Sequence, residues 1–149
     1  MYQEAEEALE MAKMSAMLNP SLKFMSEVML RLNHKISDIP ATARTDGFTC
    51  EYHPEFLLKQ TAGSYGSRVG LLTHETFHPA LQHFIRQEYR DAELWNISSD
   101  EEANHLIKSE NIALPEGGCC TPKYKGWSAE NIYDDLAQNL CCESKPENP

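Results

Sequence analysis

The stretch Val69-Gly70-Leu71-Leu72-Thr73-His74-Glu75-Thr76-Phe77-His78 decides how this chain is read. Its apolar start suits a helix packed into a core, and its end fits the pattern H-E-x-x-H. Residues four apart share a helix face, so His74 and His78 converge on one point, and Glu75, one step round, reaches a water held there. The chemistry needs that spacing. Zinc held by neutral nitrogens keeps its Lewis acidity, brings the pKa of a bound water toward about 7 and polarises a carbonyl, while a carboxylate beside it takes the proton. Five residues make a short pattern, however, and two histidines on a helix are also an ordinary surface feature.

A catalytic zinc takes three protein ligands. After His78 the candidates are His83 and the acidic run Asp100-Glu101-Glu102. His83 follows His78 by five residues, one short of the six-residue step with a helix-breaking glycine that metzincins use, and Pro79-Ala80-Leu81-Gln82 holds no glycine. Asp100 and Asn104 stand at i, i+4, so one can bind metal while the other orients a ligating histidine from behind. The same acids, read at a helix start, equally serve only to complement its dipole.

Outward from the motif the chain reads as mostly helical, with one short β element. Residues 2–18 are good helix formers with Ala5, Ala8, Leu9, Ala12 and Ala16 on one face. Leu22, Met25, Val28, Met29 and Leu32 mark a second helix after Asn19-Pro20-Ser21. Thr45-Asp46-Gly47 is a turn signal before a strand at 48–52, which pairs with 41–45 if a hairpin forms. A short helix follows from Pro54 to about Gln60, then a loop at 62–67, then helix from Arg68 to about Tyr89. Ser98-Ser99-Asp100 signals the start of another helix reaching about Glu110, and Ser128 caps a last one bearing Ile132, Leu136 and Leu140. The expected organisation is a single α+β, mainly helical domain over 1–142 with a flexible tail at 143–149.

Composition narrows the function classes. Among 149 residues, 23 are acidic and 13 are Lys or Arg, for a net charge of −10, which opposes tracking of phosphate or anionic lipid. Neither nucleic acid nor membrane is an expected partner. No apolar run nears the roughly 18 residues of a membrane span. An acidic start, Met1-Tyr2-Gln3-Glu4, reads against an export signal and for a cytoplasmic location. Of five cysteines, four form the adjacent pairs Cys119-Cys120 and Cys141-Cys142, poorer chelators than C-x-x-C. They read as small, buried or half-buried free thiols rather than disulfides or a structural zinc site. His53 reads as a capping or surface residue, with lining of a substrate cleft as the alternative, His34 and His105 as surface or boundary residues, and Trp95 and Trp127 as packing. Tyr52, Tyr65 and Tyr89 are available as hydrogen-bond donors, but spacing singles out none of them.

Ordered blocks along the chain resemble a bacterial and phage metallopeptidase domain family. The markers are Thr45-Asp46-Gly47, Tyr52-His53-Pro54-Glu55-Phe56, Leu72 to His83, Asp91 to Ile97, Asp100 with Asn104, Leu114 to Gly118, and Gly126 to Tyr133. The resemblance implies a zincin-like fold, with a short strand or hairpin near the active helix, and zinc-dependent cleavage of protein or peptide substrates. His74 and His78 then match the ligand histidines, Glu75 the general base, Asp100 the third metal ligand and Asn104 a supporting residue behind a histidine. His83 matches a histidine common in the family and stays an alternative ligand or a residue lining the site, as do Glu101 and Glu102. The family often carries a von Willebrand factor A-like domain and is encoded near MoxR-type ATPases, which implies such partners; the extra domain is expected to be missing here, as in a phage-encoded protein. Pro79 departs from the family pattern. It either spoils the ligand geometry or turns the chain so that His83 approaches the metal. A binding or inhibitory module without turnover is the competing expectation.

Overall fold

The computed structural model describes residues 1–60, 66–115 and 117–143, so the expected loop at 62–67 and the tail beyond 143 lie largely outside the described residues. An alanine seam organises the first helix. In α1 (Tyr2–Leu18) the buried residues are Ala5, Ala8, Leu9, Ala12 and Ala16, and the small side chains of the four alanines let neighbouring elements approach closely. Asn19 then accepts a hydrogen bond from the Ser21 amide, capping a short turn at Pro20–Leu22 that leads into α2 (Lys23–Arg31). That second helix stops a residue before Leu32. The chain next forms a strand, β1 (Asn33–Ile36), just past Leu32, the last apolar position of the expected helix.

β2 (Ala43–Thr45) and β3 (Thr49–Tyr52) form the expected hairpin. Asp46 Oδ1 accepts from the amides of Phe48 and Thr49, and Gly47 takes a φ of +95°, a conformation glycine adopts without steric cost. The sheet order is β1-β3-β2, with β1 parallel and β2 antiparallel to β3. Backbone bonds from His53 to Thr42 and from Asp46 to Thr49 fix the alternation, so Arg44 pairs inward with Glu51. The backbone groups of Ala43 and Thr45 therefore point off the sheet edge. His53 caps α3 (Pro54–Lys59), its Nδ1 accepting from the Glu55 amide.

α4 (Gly66–Ala80) carries the histidine motif through the core between α1, α2 and α6 (Ala92–Ser109). Val69, Leu71, Leu72 and Phe77 are buried, and Thr73 and Thr76 return their hydroxyls to the carbonyls of Val69 and Leu72. Gly70 permits a close crossing, since a Cβ there would stand 1.9 Å from the Ala113 carbonyl oxygen.

Two sequence expectations need correction here. The helix read from Arg68 to Tyr89 is broken: Pro79 lies in its last turn, Gln82 takes a left-handed φ of 57°, and a separate turn of helix, α5 (His83–Arg86), follows. The helix read from Ser98 begins instead at Ala92, where Asp91 accepts from the Leu94 amide. Asp100 is thus in mid-helix, and the reading of its neighbourhood as acids complementing a helix start falls away. Finally α7 (Ala129–Glu143), capped by Ser128, packs on α6.

Candidate metal centre

Two helices supply the centre. From α4, His74 and His78 project one turn apart toward α6, where Asp100 and Asn104 answer them, also one turn apart. The three donor atoms form a nearly equilateral triangle. His74 Nε2 and His78 Nε2 are 3.2 Å apart, and each stands 3.1 Å from Asp100 Oδ1. Bonds of about 2.0–2.1 Å to a tetrahedral zinc put neighbouring ligand atoms about 3.3 Å apart, so the donor set fits that ion. Among the described residues these three form the single group of His, Cys, Asp or Glu whose donors all lie within 4.8 Å.

The tautomer of His74 suits the same purpose. Its Nδ1 is 2.8 Å from Asn104 Oδ1, and the Asn104 amide is held that way round because its nitrogen donates to the Cys119 carbonyl at 2.8 Å. Asn104 Oδ1 can only accept, which places a proton on Nδ1 and frees Nε2 for a metal. Glycine matters beside it: a Cβ on Gly118 would lie 3.1 Å from the Pro115 carbonyl oxygen and 3.6 Å from the Asn104 amide nitrogen.

Charge is arranged around the triangle. Burial alone would raise the pKa of Asp100, but His74 and His78 overcome it and hold the carboxyl well below the usual carboxylate range. Burial opposes charging of His74 as well, yet Asp100 and Glu75 keep its pKa above the ordinary histidine value, while for His78 burial prevails against Asp100 and lowers it.

Glu75 is 6% exposed, and its carboxylate has no hydrogen-bond partner among the described residues. Burial, opposed by His74 and reinforced by Asp100, pushes its pKa up to about 7. A buried carboxyl poised there, beside metal donors and with nothing to hold, is the state a general base requires. It opens on a cleft of about 410 Å³ whose walls include the β2 edge at Thr42–Thr45, Phe56, Phe84 and Ile97.

The remaining candidates sit elsewhere. His83, 2% exposed, places its Nδ1 2.9 Å from His78 Nδ1 and its Nε2 2.8 Å from Glu102, so both ring nitrogens are engaged behind the triangle. Pro79 does turn the chain, as one expectation had it, but it brings His83 to the far nitrogen of His78. Glu101 faces away and accepts from the amide and hydroxyl of Thr121. Glu102 accepts from His83, from both terminal nitrogens of Arg86 and from the Ala129 amide. Trp95 lies under this assembly, edge-on to His83 and donating its indole hydrogen to the His83 carbonyl. Spacing gave no sign of the contacts among His83, Arg86, Glu102 and Glu130, because they join three helices.

Several minor readings change. His34 is a strand residue stacked on Tyr52, bonded to its hydroxyl and to the Met29 carbonyl. That engages Tyr52 inside the core; Tyr89 is exposed, and Tyr65 lies outside the described residues. His105 is partly buried against Thr121 and Cys120. Cys50 is buried, Cys120 partly buried and Cys119 exposed, all as free thiols, and the side chains of Cys141 and Cys142 lie outside the described ones. No helix among the described residues is long and apolar enough to cross a membrane.

Comparison with known proteins agrees with the geometry at one level. No curated protein and no solved structure matches the chain. A family match runs over residues 5–147, nearly the whole length, and by it the chain belongs to the family described as "Putative metallopeptidase domain".

Proposed function

We propose that this protein is a zinc-dependent peptidase of the H-E-x-x-H kind with a zincin-like fold, formed by a single domain over 1–142. The observation that carries the reading is the triangle of His74, His78 and Asp100 donors beside the buried carboxyl of Glu75, which has no hydrogen-bond partner among the described residues. Zinc held by these three residues would supply Lewis acidity toward a scissile carbonyl and a water of lowered pKa. Glu75 removes the proton of the attacking water and delivers it to the departing amine, and its pKa of about 7 suits both transfers at neutral pH. Asn104 keeps His74 in the ligating tautomer.

The substrate is an extended peptide. The outward backbone groups of Ala43 and Thr45 can add it as a further strand beside β2, and the apolar walls at Phe84 and Ile97 receive its side chains. A MoxR-type ATPase or a von Willebrand factor A-like protein is the partner that the family resemblance suggests. Loss of turnover was an expectation built on Pro79, and the donors converge despite that residue, which supports catalysis over the inert module.

The test is metal analysis of protein purified without chelator, followed by peptide cleavage assays. Wild type should carry about one zinc per chain and His74→Ala none. Glu75→Gln should keep the zinc and lose turnover by about 10²–10⁴-fold. A wild type without zinc, or a Glu75→Gln variant cleaving at the wild-type rate, would overturn the reading.

A further inference from the structure

We propose that Glu102, acting through His83, selects the tautomer of His78 that leaves its Nε2 free, so that Glu102 and His83 are positioning residues for the metal site. The proposal rests on the metal-site reading above and concerns how that site is kept ready. His78 lacks the device that serves His74. Among the described residues its Nδ1 meets a second imidazole, that of His83, 2.9 Å away, in place of an amide oxygen. Between two imidazole nitrogens the hydrogen can sit on either, so the pair alone leaves the tautomer undecided.

Glu102 decides it from the other end. Among the described residues its carboxylate is met only by donors: Arg86 at 3.0 and 3.2 Å, the Ala129 amide at 2.8 Å and His83 Nε2 at 2.8 Å. It can only accept, so His83 carries its hydrogen on Nε2. In its neutral form His83 has one N–H, so with that hydrogen on Nε2 its Nδ1 is an acceptor and His78 donates from Nδ1. The lone pair of His78 Nε2 is then directed at the triangle, 3.2 Å from His74 Nε2 and 3.1 Å from Asp100 Oδ1.

The assembly is built to hold that order. His83 is enclosed by Trp95, whose indole ties the His83 carbonyl at 2.8 Å. Arg86 is fixed on its other side by Glu130 at 2.6 and 2.7 Å, so the orientation of Glu102 is anchored as far away as α7. Helix α5 contributes His83 and Arg86, α6 contributes Glu102 and α7 contributes Glu130. A histidine thus stands between carboxylate and ligand, where a carboxylate or carbonyl usually touches the ligand directly.

Nitrogen-15 NMR of the histidine rings, together with zinc affinity by competition with a chromophoric chelator, tests the proposal. In metal-free wild type the His78 ring should show its hydrogen on Nδ1; hydrogen on Nε2 overturns the proposal even if the protein binds zinc. His83→Phe keeps the ring volume and removes both nitrogens. It should give a mixture of His78 tautomers and a 10–100-fold weaker zinc affinity, while the His74 tautomer, held by Asn104, stays as it was. Glu102→Gln provides the same two readouts should the first variant fail to fold. An unchanged His78 tautomer and an affinity within twofold of wild type in a folded variant overturn the relay and leave the metal site standing. A wild type that binds no zinc removes the metal site, and the tautomer measurement still judges the relay.

Discussion

Glu102 also couples ionisation to folding. Burial alone would raise its pKa, but hydrogen bonds from His83, Arg86 and the Ala129 amide bring it down to about 2. A carboxyl whose pKa falls on folding binds fewer protons in the native state, so its stabilisation is complete above the unfolded value near 4.5 and is lost as pH drops toward 2. Glu102→Gln should therefore be less stable than wild type at pH 7, by about 1–2 kcal/mol, and the two stability curves should converge between pH 4.5 and 2. Urea denaturation across that range checks it; a constant gap down to pH 2 contradicts the assignment. At this scale His74, Glu75 and His78 were legible because helical spacing alone sets their relation. Asp100 and Asn104 were legible as an i, i+4 pair, but choosing Asp100 over its acidic neighbours took the family resemblance. The partnership of His83 with Glu102 was not legible, since it spans 19 residues and depends on where α4 ends.

Among the elements, α4 is the one whose beginning and end set the site. Its last turn contains Pro79, which cannot donate to the Glu75 carbonyl, and the left-handed Gln82 then swings His83 back against His78. From the sequence, a proline beside His78 meant either spoiled geometry or a turn bringing His83 near, and which nitrogen the turn would bring His83 to became visible only in three dimensions. The start of α6 was misplaced for a related reason. Ser98-Ser99-Asp100 mimics a cap, yet both hydroxyls bond back to carbonyls of Leu94 and Asn96 in the preceding turn, as serines inside a helix do. Further up α4, Gly70 passes the Ala113 carbonyl so closely that Gly70→Ala requires one backbone to move. The better helix propensity of alanine, worth about 1 kcal/mol, is outweighed by the clash, and a net destabilisation of about 1–3 kcal/mol should appear in chemical denaturation.

Across the whole molecule, the centre joins α4 to α6 and thereby the part of the core under α1 and α2 to the part under α7. Binding to the native state alone stabilises by about 2.7 kcal/mol at a ligand concentration a hundred times the Kd, which for a chain of this size raises Tm by about 5–10 °C. Thermal scans with and without zinc should show that rise in wild type and no rise in His74→Ala. The mainly helical α+β character was legible because long periodic stretches dominate the chain. β1 was not, because four residues with no full alternation of apolar and polar side chains leave no periodic trace, and its parallel pairing with β3 is a tertiary choice.

The outward edge of β2 has a consequence beyond substrate. Unpaired backbone groups on a sheet edge will accept any extended chain, including the same edge of another copy, and that is how sheets grow into aggregates. This edge is three residues long, and its centre carries Arg44, whose guanidinium lies against Glu51 and places charge where a second sheet would have to stack. The edge therefore denies a rigid sheet enough rungs to climb, while leaving room for the short, flexible peptide of the proposed function.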